Sequence, residues 1–166
     1  AKEAAIKEAQ LMKDYMVKDI RNIAVLGHGS EGKTTLVESM LYAAGVIDRQ
    51  GRVEDGNTVS DWDPEEVKRH ISISASVAPI EIHNKKLNII DVPGYFDFAG
   101  EMAGPLAAVE GAAIVISAVT GISTGFEKAW NETGKHGVAR IIVVTQVDRE
   151  HIDYRKVLDD LRAKYG

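Results

Sequence analysis

Gly27-His28-Gly29-Ser30-Glu31-Gly32-Lys33-Thr34 decides the fold of this chain. The octet meets G-x-x-x-x-G-K-S/T at every fixed position. It lies between an apolar run, Ile23-Ala24-Val25-Leu26, and a helical pattern that begins near Thr35. Strand, glycine-bounded loop and helix is the setting in which this spacing has a physical meaning. Loop N–H groups and the positive end of the helix dipole converge on one point, and an anion fits there. Gly27 and Gly32 let the backbone curl towards it. Lys33 brings a full positive charge to the outer phosphates of a nucleotide, and the Thr34 hydroxyl is a candidate Mg²⁺ ligand. His28, Gly29, Ser30, Glu31 and Thr35 complete the candidate cradle.

Composition narrows the setting. The chain has 166 residues, enough for one domain with a sizeable core, and 45% of them are hydrophobic. Its net charge of −5 gives no overall basic field, and no nucleic-acid-binding patch is evident. With no cysteine there are no disulfides and no thiolate metal sites, as a reducing compartment would favour. The longest strictly apolar runs, 112–116 and 141–144, are too short to cross a bilayer, and charges at Lys2, Glu3, Lys7 and Glu8 do not suit a signal peptide. The expectation is a cytoplasmic protein without a membrane partner.

Outward from the loop, residues 1–19 read as a helix rich in alanine, with Glu3 and Lys7 at i, i+4. A solvated extension, partly non-native, and a native helix packed on the domain are both open. A strand over 20–26 precedes the loop, and a helix over 33–44 follows and stops at Gly45. The charged segment 45–70 has weak periodicity, as functional or mobile loops do, with a short helix opening at Asp63-Pro64. Ile71, Ile73, Ala75 and Val77 alternate with serines, which predicts a half-buried strand. A turn at His83-Asn84-Lys85 and a strand over 86–92 make it a hairpin.

The spacing then predicts a helix over 101–109, weakened by Pro105, and a fully apolar central strand over 112–119. A helix over 124–135 capped by Thr124, a buried strand over 141–145 and a last helix over 152–164 follow. Helices alternating with apolar strands specify an α/β fold: a doubly wound, mostly parallel sheet with one antiparallel hairpin strand and helices on both faces. Residues 20–166 are the expected P-loop domain, with 1–19 as an extension.

Ligands of such sheets sit at the carboxyl ends of the strands. Gly27–Thr34, Asp91-Val92-Pro93-Gly94 and Thr145-Gln146-Val147-Asp148 each follow a strand directly, so all three face one edge. Asp91 is placed to hold Mg²⁺ directly or through water, and Ser72, closing the long segment, is a second candidate hydroxyl ligand. Gly94 offers an N–H to a terminal phosphate. Asp148 suits the N1–H and amino group of guanine, and equally suits an N-cap for the following helix. The histidines (His28, His70, His83, His136 and His151) lack metal-ligand spacing and read as surface or loop residues.

Assembled, these residues resemble the GTP-binding domain of translational GTPases, most closely elongation factor G, from about Asp19 onward. The likeness rests on Arg21-Asn22-Ile23, the phosphate loop with Thr34-Thr35, Gly51 to Asp61, Ile71 to Ile73, Ile89 to Gly94 with Asp97-Phe98, and Asp148. Val46 to Arg49, Glu54-Asp55-Gly56 and Gly94 to Phe98 look like a divergent bacterial branch. The resemblance implies binding of GTP or GDP with Mg²⁺, a GTP-driven switch and the ribosome as activating partner. Lys33, Gly94 and Tyr95 would then take the catalytic roles, with Thr34, Ser72 and Asp91 around the metal.

Several positions depart from the family pattern. Tyr95 stands where the family has a water-positioning histidine, and a phenol of pKa near ~10 is a poor base at neutral pH, although it can orient water. Ser30 replaces an aspartate. Glu31 puts a carboxylate beside the phosphates and is expected to turn outward. The guanine-reading N-K-x-D pattern is Thr145-Gln146-Val147-Asp148: Asp148 survives, but the loop-bracing asparagine and base-covering lysine do not. The family's domain continues past this point with another strand and a guanine-contacting loop. A fragment that binds nucleotide weakly is therefore expected, with its last strand an open edge. A degenerate nucleotide-binding or non-enzymatic module with weak guanine selectivity is the alternative, and a P-loop phosphohydrolase with relaxed or adenine preference is a third reading.

Overall fold

The computed structural model describes residues 14–166. Residues 1–13, where most of the expected N-terminal helix falls, lie outside the described residues. Of the remainder of that helix, Met16 is extended and Val17–Asp19 forms a single 3₁₀ turn.

Five strands make one sheet: β1 Ile20–Leu26, β2 Ser76–Ile82, β3 Lys85–Asp91, β4 Gly111–Ser117 and β5 Ala139–Thr145. Their spatial order is β2-β3-β1-β4-β5, with β2 and β3 antiparallel and every other pair parallel. His83 and Asn84, both at positive φ, make the two-residue turn that joins the hairpin with a twist matching its strands. β1 lies inside the sheet with the phosphate loop at its carboxyl end, as expected.

Alternation along the strands sends side chains to two cores. Leu26, Ile90, Ile114 and Ile116 point to one side, where they meet Leu106, Phe126, Val157 and Leu161. Val25, Ile89, Ala113 and Val115 point to the other, against Val37 and Leu41. The helices supplying these faces are α1 Lys33–Ala43, α3 Ala103–Ala108, α4 Thr124–Lys135 and α5 Tyr154–Tyr165. The expected doubly wound sheet is present.

Local differences have local causes. The strand predicted from Ile71 begins only at Ser76, because the amides of Ile73 and Ser74 donate to Glu66 Oε1 (2.9 and 3.0 Å) instead of to a neighbouring strand. Glu66 belongs to α2, Pro64–Arg69. That helix starts at a capping box in which Asp63 accepts from Glu65 N and Glu66 reaches back to Asp63 N. A 3₁₀ stretch, Phe96–Met102, leads directly into α3, whose Pro105 sits in the first turn, where no intrahelical N–H is lost. α4 is capped by Ser123, not Thr124, and α5 by Asp153, which removes the capping role from Asp148. β5 is a sheet edge among the described residues, and Ile141 on it is 63% exposed.

Candidate functional site

The turn from β1 into α1 wraps the phosphate loop around its own lysine. Lys33 is buried and its Nζ donates to the His28 carbonyl at 2.7 Å. Burial lowers its pKa, while the charges of Asp91, Glu31 and Asp61 work against that shift. Glu31 corrects the sequence reading. Its side chain is turned inward, 1% exposed, and Oε2 accepts the His28 N–H at 2.8 Å. A carboxylate that captures a loop amide is held within the loop and is not turned out to solvent.

Thr34 opens α1 beside Asp91 at the end of β3. Its hydroxyl donates to Asp91 Oδ2 at 2.7 Å and lies 3.2 Å from the Ser72 hydroxyl, which in turn donates to Asp61 Oδ1 at 2.7 Å. Each hydroxyl has one proton, and each proton is directed at a carboxylate. The two oxygens therefore turn lone pairs towards each other. Beside them, Asp91 Oδ1 and Asp61 Oδ2 are buried without a hydrogen bond of ordinary geometry, although the Ser60 and Thr58 hydroxyls lie near enough to favour the ionised forms of Asp91 and Asp61 respectively. Burial pushes the Asp91 carboxyl up to about 6; the Thr34 hydroxyl and Lys33 oppose the shift, and the Asp61 charge adds to it. Burial likewise raises Asp61, against its bond from Ser72 and with the Glu66 charge.

Four side-chain groups, two hydroxyls and two carboxylates that each keep one unpartnered oxygen, fit a small hard cation. Neighbouring ligands of octahedral Mg²⁺ stand about 3 Å apart. Among the described residues no group of three or more His, Cys, Asp or Glu side chains gathers as a metal cage, in keeping with an ion that takes one or two carboxylates and fills its shell with water and phosphate. The sequence reading named Thr34, Ser72 and Asp91 around the metal; the fold brings these three together and adds Asp61 beside Ser72. Nothing in the stretch Asp61-Trp62-Asp63 distinguishes a buried carboxylate from the exposed charges around it.

Gly94 packs so tightly on the loop that a Cβ there would meet Lys33 Nζ and the His28 and Gly27 backbone. Tyr95 lies over Gly29 and its hydroxyl is 3.0 Å from Ser30 Oγ. His28, expected in the cradle as a surface or loop residue, has its ring 6.2 Å from that of Tyr95 and 6.0 Å from that of Phe96, tilted to both.

The end of β5 closes the other side. The Thr145 hydroxyl donates to the Glu31 carbonyl at 2.7 Å, and the Gln146 amide donates to the Ser30 carbonyl at 3.2 Å while accepting from Ser117 Oγ at 2.8 Å. Thus the altered motif still ties the phosphate loop to the strand. Asp148 is exposed and lines, with Gln146 and Arg149, both the main cavity of about 980 Å³ and an adjoining one of about 650 Å³ beside Val119 and Ile152. The main cavity runs from Gly29 and Thr35 past Tyr95 to the segment at Arg52.

The family model described as elongation factor Tu GTP binding domain matches residues 18–165. The chain is 38% identical over 146 residues to the mitochondrial ribosome-releasing factor 2 of Drosophila willistoni, covering 88% of this chain and 20% of that one. It is 36% identical over 153 residues to elongation factor G 2 of Streptomyces coelicolor, covering 92% and 22%. The chain therefore spans about a fifth of the length of these relatives. Among solved structures, a Thermus thermophilus protein superposes with a TM-score of 0.83 at 40% identity, over 87% of this chain and 22% of that one. A bacterial selenocysteine-specific elongation factor does so at 0.69 and 28%, over 86% and 23%. A phosphate loop on this sheet, with a match along almost its whole length, puts the chain in the family of elongation factor Tu GTP-binding domains.

Proposed function

We propose that residues 20–166 form the GTP-hydrolysing switch domain of an elongation-factor-G-like translation factor, working with Mg²⁺ on the ribosome in the cytoplasm. The observation that carries this reading is the meeting of Thr34, Ser72, Asp91 and Asp61 at the mouth of the phosphate loop. Three separate segments converge there, and one of them is the long segment expected to switch. No helix among the described residues is long and apolar enough to cross a membrane.

In this reading, Gly27 to Thr35 hold the β- and γ-phosphates through backbone N–H groups, and Lys33 leaves the His28 carbonyl to neutralise charge developing on the transferred phosphoryl group. Bound Mg²⁺ would supply Lewis-acid stabilisation to the phosphate oxygens from among Thr34, Ser72, Asp91 and Asp61. The Gly94 amide faces the terminal phosphate, and Tyr95 orients the attacking water by hydrogen bonding, since its phenol is a poor proton acceptor at neutral pH. Thr145 and Gln146 brace the loop from behind, and Asp148 accepts from the guanine edge.

The test is titration of fluorescent GDP and ADP into the purified chain with Mg²⁺, followed by anisotropy, and then GTP turnover with and without ribosomes. Saturable guanine-selective binding and ribosome-stimulated turnover are expected. Equal affinity for GDP and ADP would remove the base-reading role of Asp148. One observation favours a nucleotide-sensing module without turnover: the Tyr95 ring sits on Gly29 with its hydroxyl engaged by Ser30. Guanine binding with no ribosome-stimulated turnover would select that reading.

A further inference from the structure

Glu38 is a charged side chain with no exposure at all, on the second turn of α1, four residues after Thr34. Residues spaced i, i+4 lie on one helix face, so Glu38 sits directly behind the metal-facing threonine. Both its oxygens accept backbone amides from the segment opposite: Oε2 from Gly51 N at 2.8 Å and Oε1 from Val59 N at 2.6 Å. Between these two points the chain closes on itself through Arg52 N to Asn57 Oδ1 at 2.7 Å and a 3₁₀ turn at Val53–Asp55. One carboxylate therefore clasps both stems of the loop. A Cβ on Gly51 would lie 2.5 Å from the Asn57 carbonyl and 2.8 Å from Glu38 Oε2, so only glycine permits this approach.

Two residues beyond Val59 stands Asp61, which reaches the Thr34 neighbourhood through Ser72. A hydrophobic residue at this position would leave the Gly51 and Val59 amides without the acceptor they now have. A buried carboxylate instead captures two amides that have no strand to pair with, through charge-assisted bonds. Successive turns of the same helix thus hold the metal-facing hydroxyl and the loop that delivers the second carboxylate.

We propose that Glu38 is a positioning residue for Mg²⁺: by holding the 51–59 loop on α1 it keeps Asp61 beside Thr34 before nucleotide arrives. This rests on the Mg²⁺-nucleotide reading of the site. It separates Mg²⁺ affinity from phosphate-loop affinity, because Glu38 touches the 51–59 loop and not the phosphate cradle.

The experiment compares the full chain with Glu38→Gln and Glu38→Ala, measuring GDP affinity with Mg²⁺ and with EDTA, and amide hydrogen exchange at Gly51 and Val59 in the nucleotide-free protein. Gln keeps the shape but has one acceptor oxygen, so it should fall between Glu and Ala. Expected is a loss of the Mg²⁺-dependent part of GDP affinity by about tenfold in Glu38→Gln, the scale of one charge-assisted bond, with affinity in EDTA within about twofold of wild type. Exchange at Gly51 and Val59 should accelerate while Val37 and Leu41 stay protected. Trp62, 75% exposed beside Asp61, gives a second readout in a Trp130→Phe background as the sole indole: its Mg²⁺-induced emission change should shrink in parallel. An unchanged Mg²⁺ increment despite faster loop exchange would overturn the proposal. So would equal losses with Mg²⁺ and with EDTA, which would make Glu38 a structural residue of α1. A wild-type chain that binds no GDP, or gains nothing from Mg²⁺, would instead remove the underlying reading and this one with it.

Discussion

The Thr145 hydroxyl donates a 2.7 Å hydrogen bond to the Glu31 carbonyl, across 114 residues of chain. That bond joins the end of β5 to the middle of the phosphate loop, and Gln146 repeats the link one residue on, at Ser30. Where the family pattern has an asparagine, two different side chains do the bracing. Thr145→Val keeps the volume and removes only the donor. It should weaken GDP binding by about 5- to 10-fold, from a bond of ~1 kcal/mol that sets loop geometry. Fluorescent-GDP titration measures it, and unchanged affinity would show that Gln146 braces the loop alone.

Lys33 places its Nζ inside the loop it serves, held by the His28 carbonyl with Gly94 packed against it. Lys33→Ala should abolish detectable nucleotide binding while the far-ultraviolet circular dichroism spectrum stays that of the wild type. Unchanged affinity would refute the phosphate-loop assignment. The same variant removes the charge that lowers the Asp91 pKa, so Asp91 should titrate higher still.

Legibility in the sequence followed the physics of each feature. The β1–loop–α1 unit could be read because its spacing is imposed by backbone geometry, and the sheet because β4 and the carboxyl halves of β1 and β3 are buried on both faces and carry apolar runs. Thr34 and Asp91 could be read because each lies at a fixed offset from a strand end. Asp61, Glu38 and Glu66 could not. Their partners are backbone amides and hydroxyls brought close only by the fold, and in sequence they resemble solvated charges. The expected strand from Ile71 failed for the same reason: period-2 alternation was present, but Glu66 took the amides that a strand would have paired. Thr124 does not cap α4 because Ser123, one residue earlier, has the same chemistry and the extended φ/ψ.

Asp91 links the site to stability. Its folded pKa of about 6 lies above the ~3.9 of an unfolded aspartate, so the native state binds the proton more tightly. A carboxyl shifted in that direction favours folding most below pH ~4. The advantage is lost as pH rises through about 6, and above that the nucleotide-free chain carries a buried charge. Asp91→Asn should therefore match wild-type stability near pH 4 and exceed it by on the order of 3 kcal/mol at pH 7, measured by urea denaturation of the nucleotide-free proteins. Asp61, raised in the same direction, adds to the wild-type decline. A less stable Asp91→Asn at pH 7 would contradict the assignment. With Mg²⁺ and GDP present the order should reverse, because the cation favours the charged carboxylate.

Tyr95 tests what the phenol contributes. Its ring lies on Gly29 and its hydroxyl meets Ser30 at 3.0 Å, so Tyr95→Phe removes the polar contact and leaves the packing. GDP affinity should stay within about twofold. If the hydroxyl orients the attacking water, ribosome-stimulated turnover should fall by about tenfold, the scale of one lost hydrogen bond. Tyr95→His supplies an imidazole with a pKa near ~6.5 at the same place and should restore or exceed wild-type turnover near neutral pH. Wild-type rates in Tyr95→Phe would confine Tyr95 to packing the loop. Tyr95→Ala separates that role, since losing the ring uncovers Gly29 and should speed nucleotide exchange, read by the release of fluorescent GDP in stopped flow.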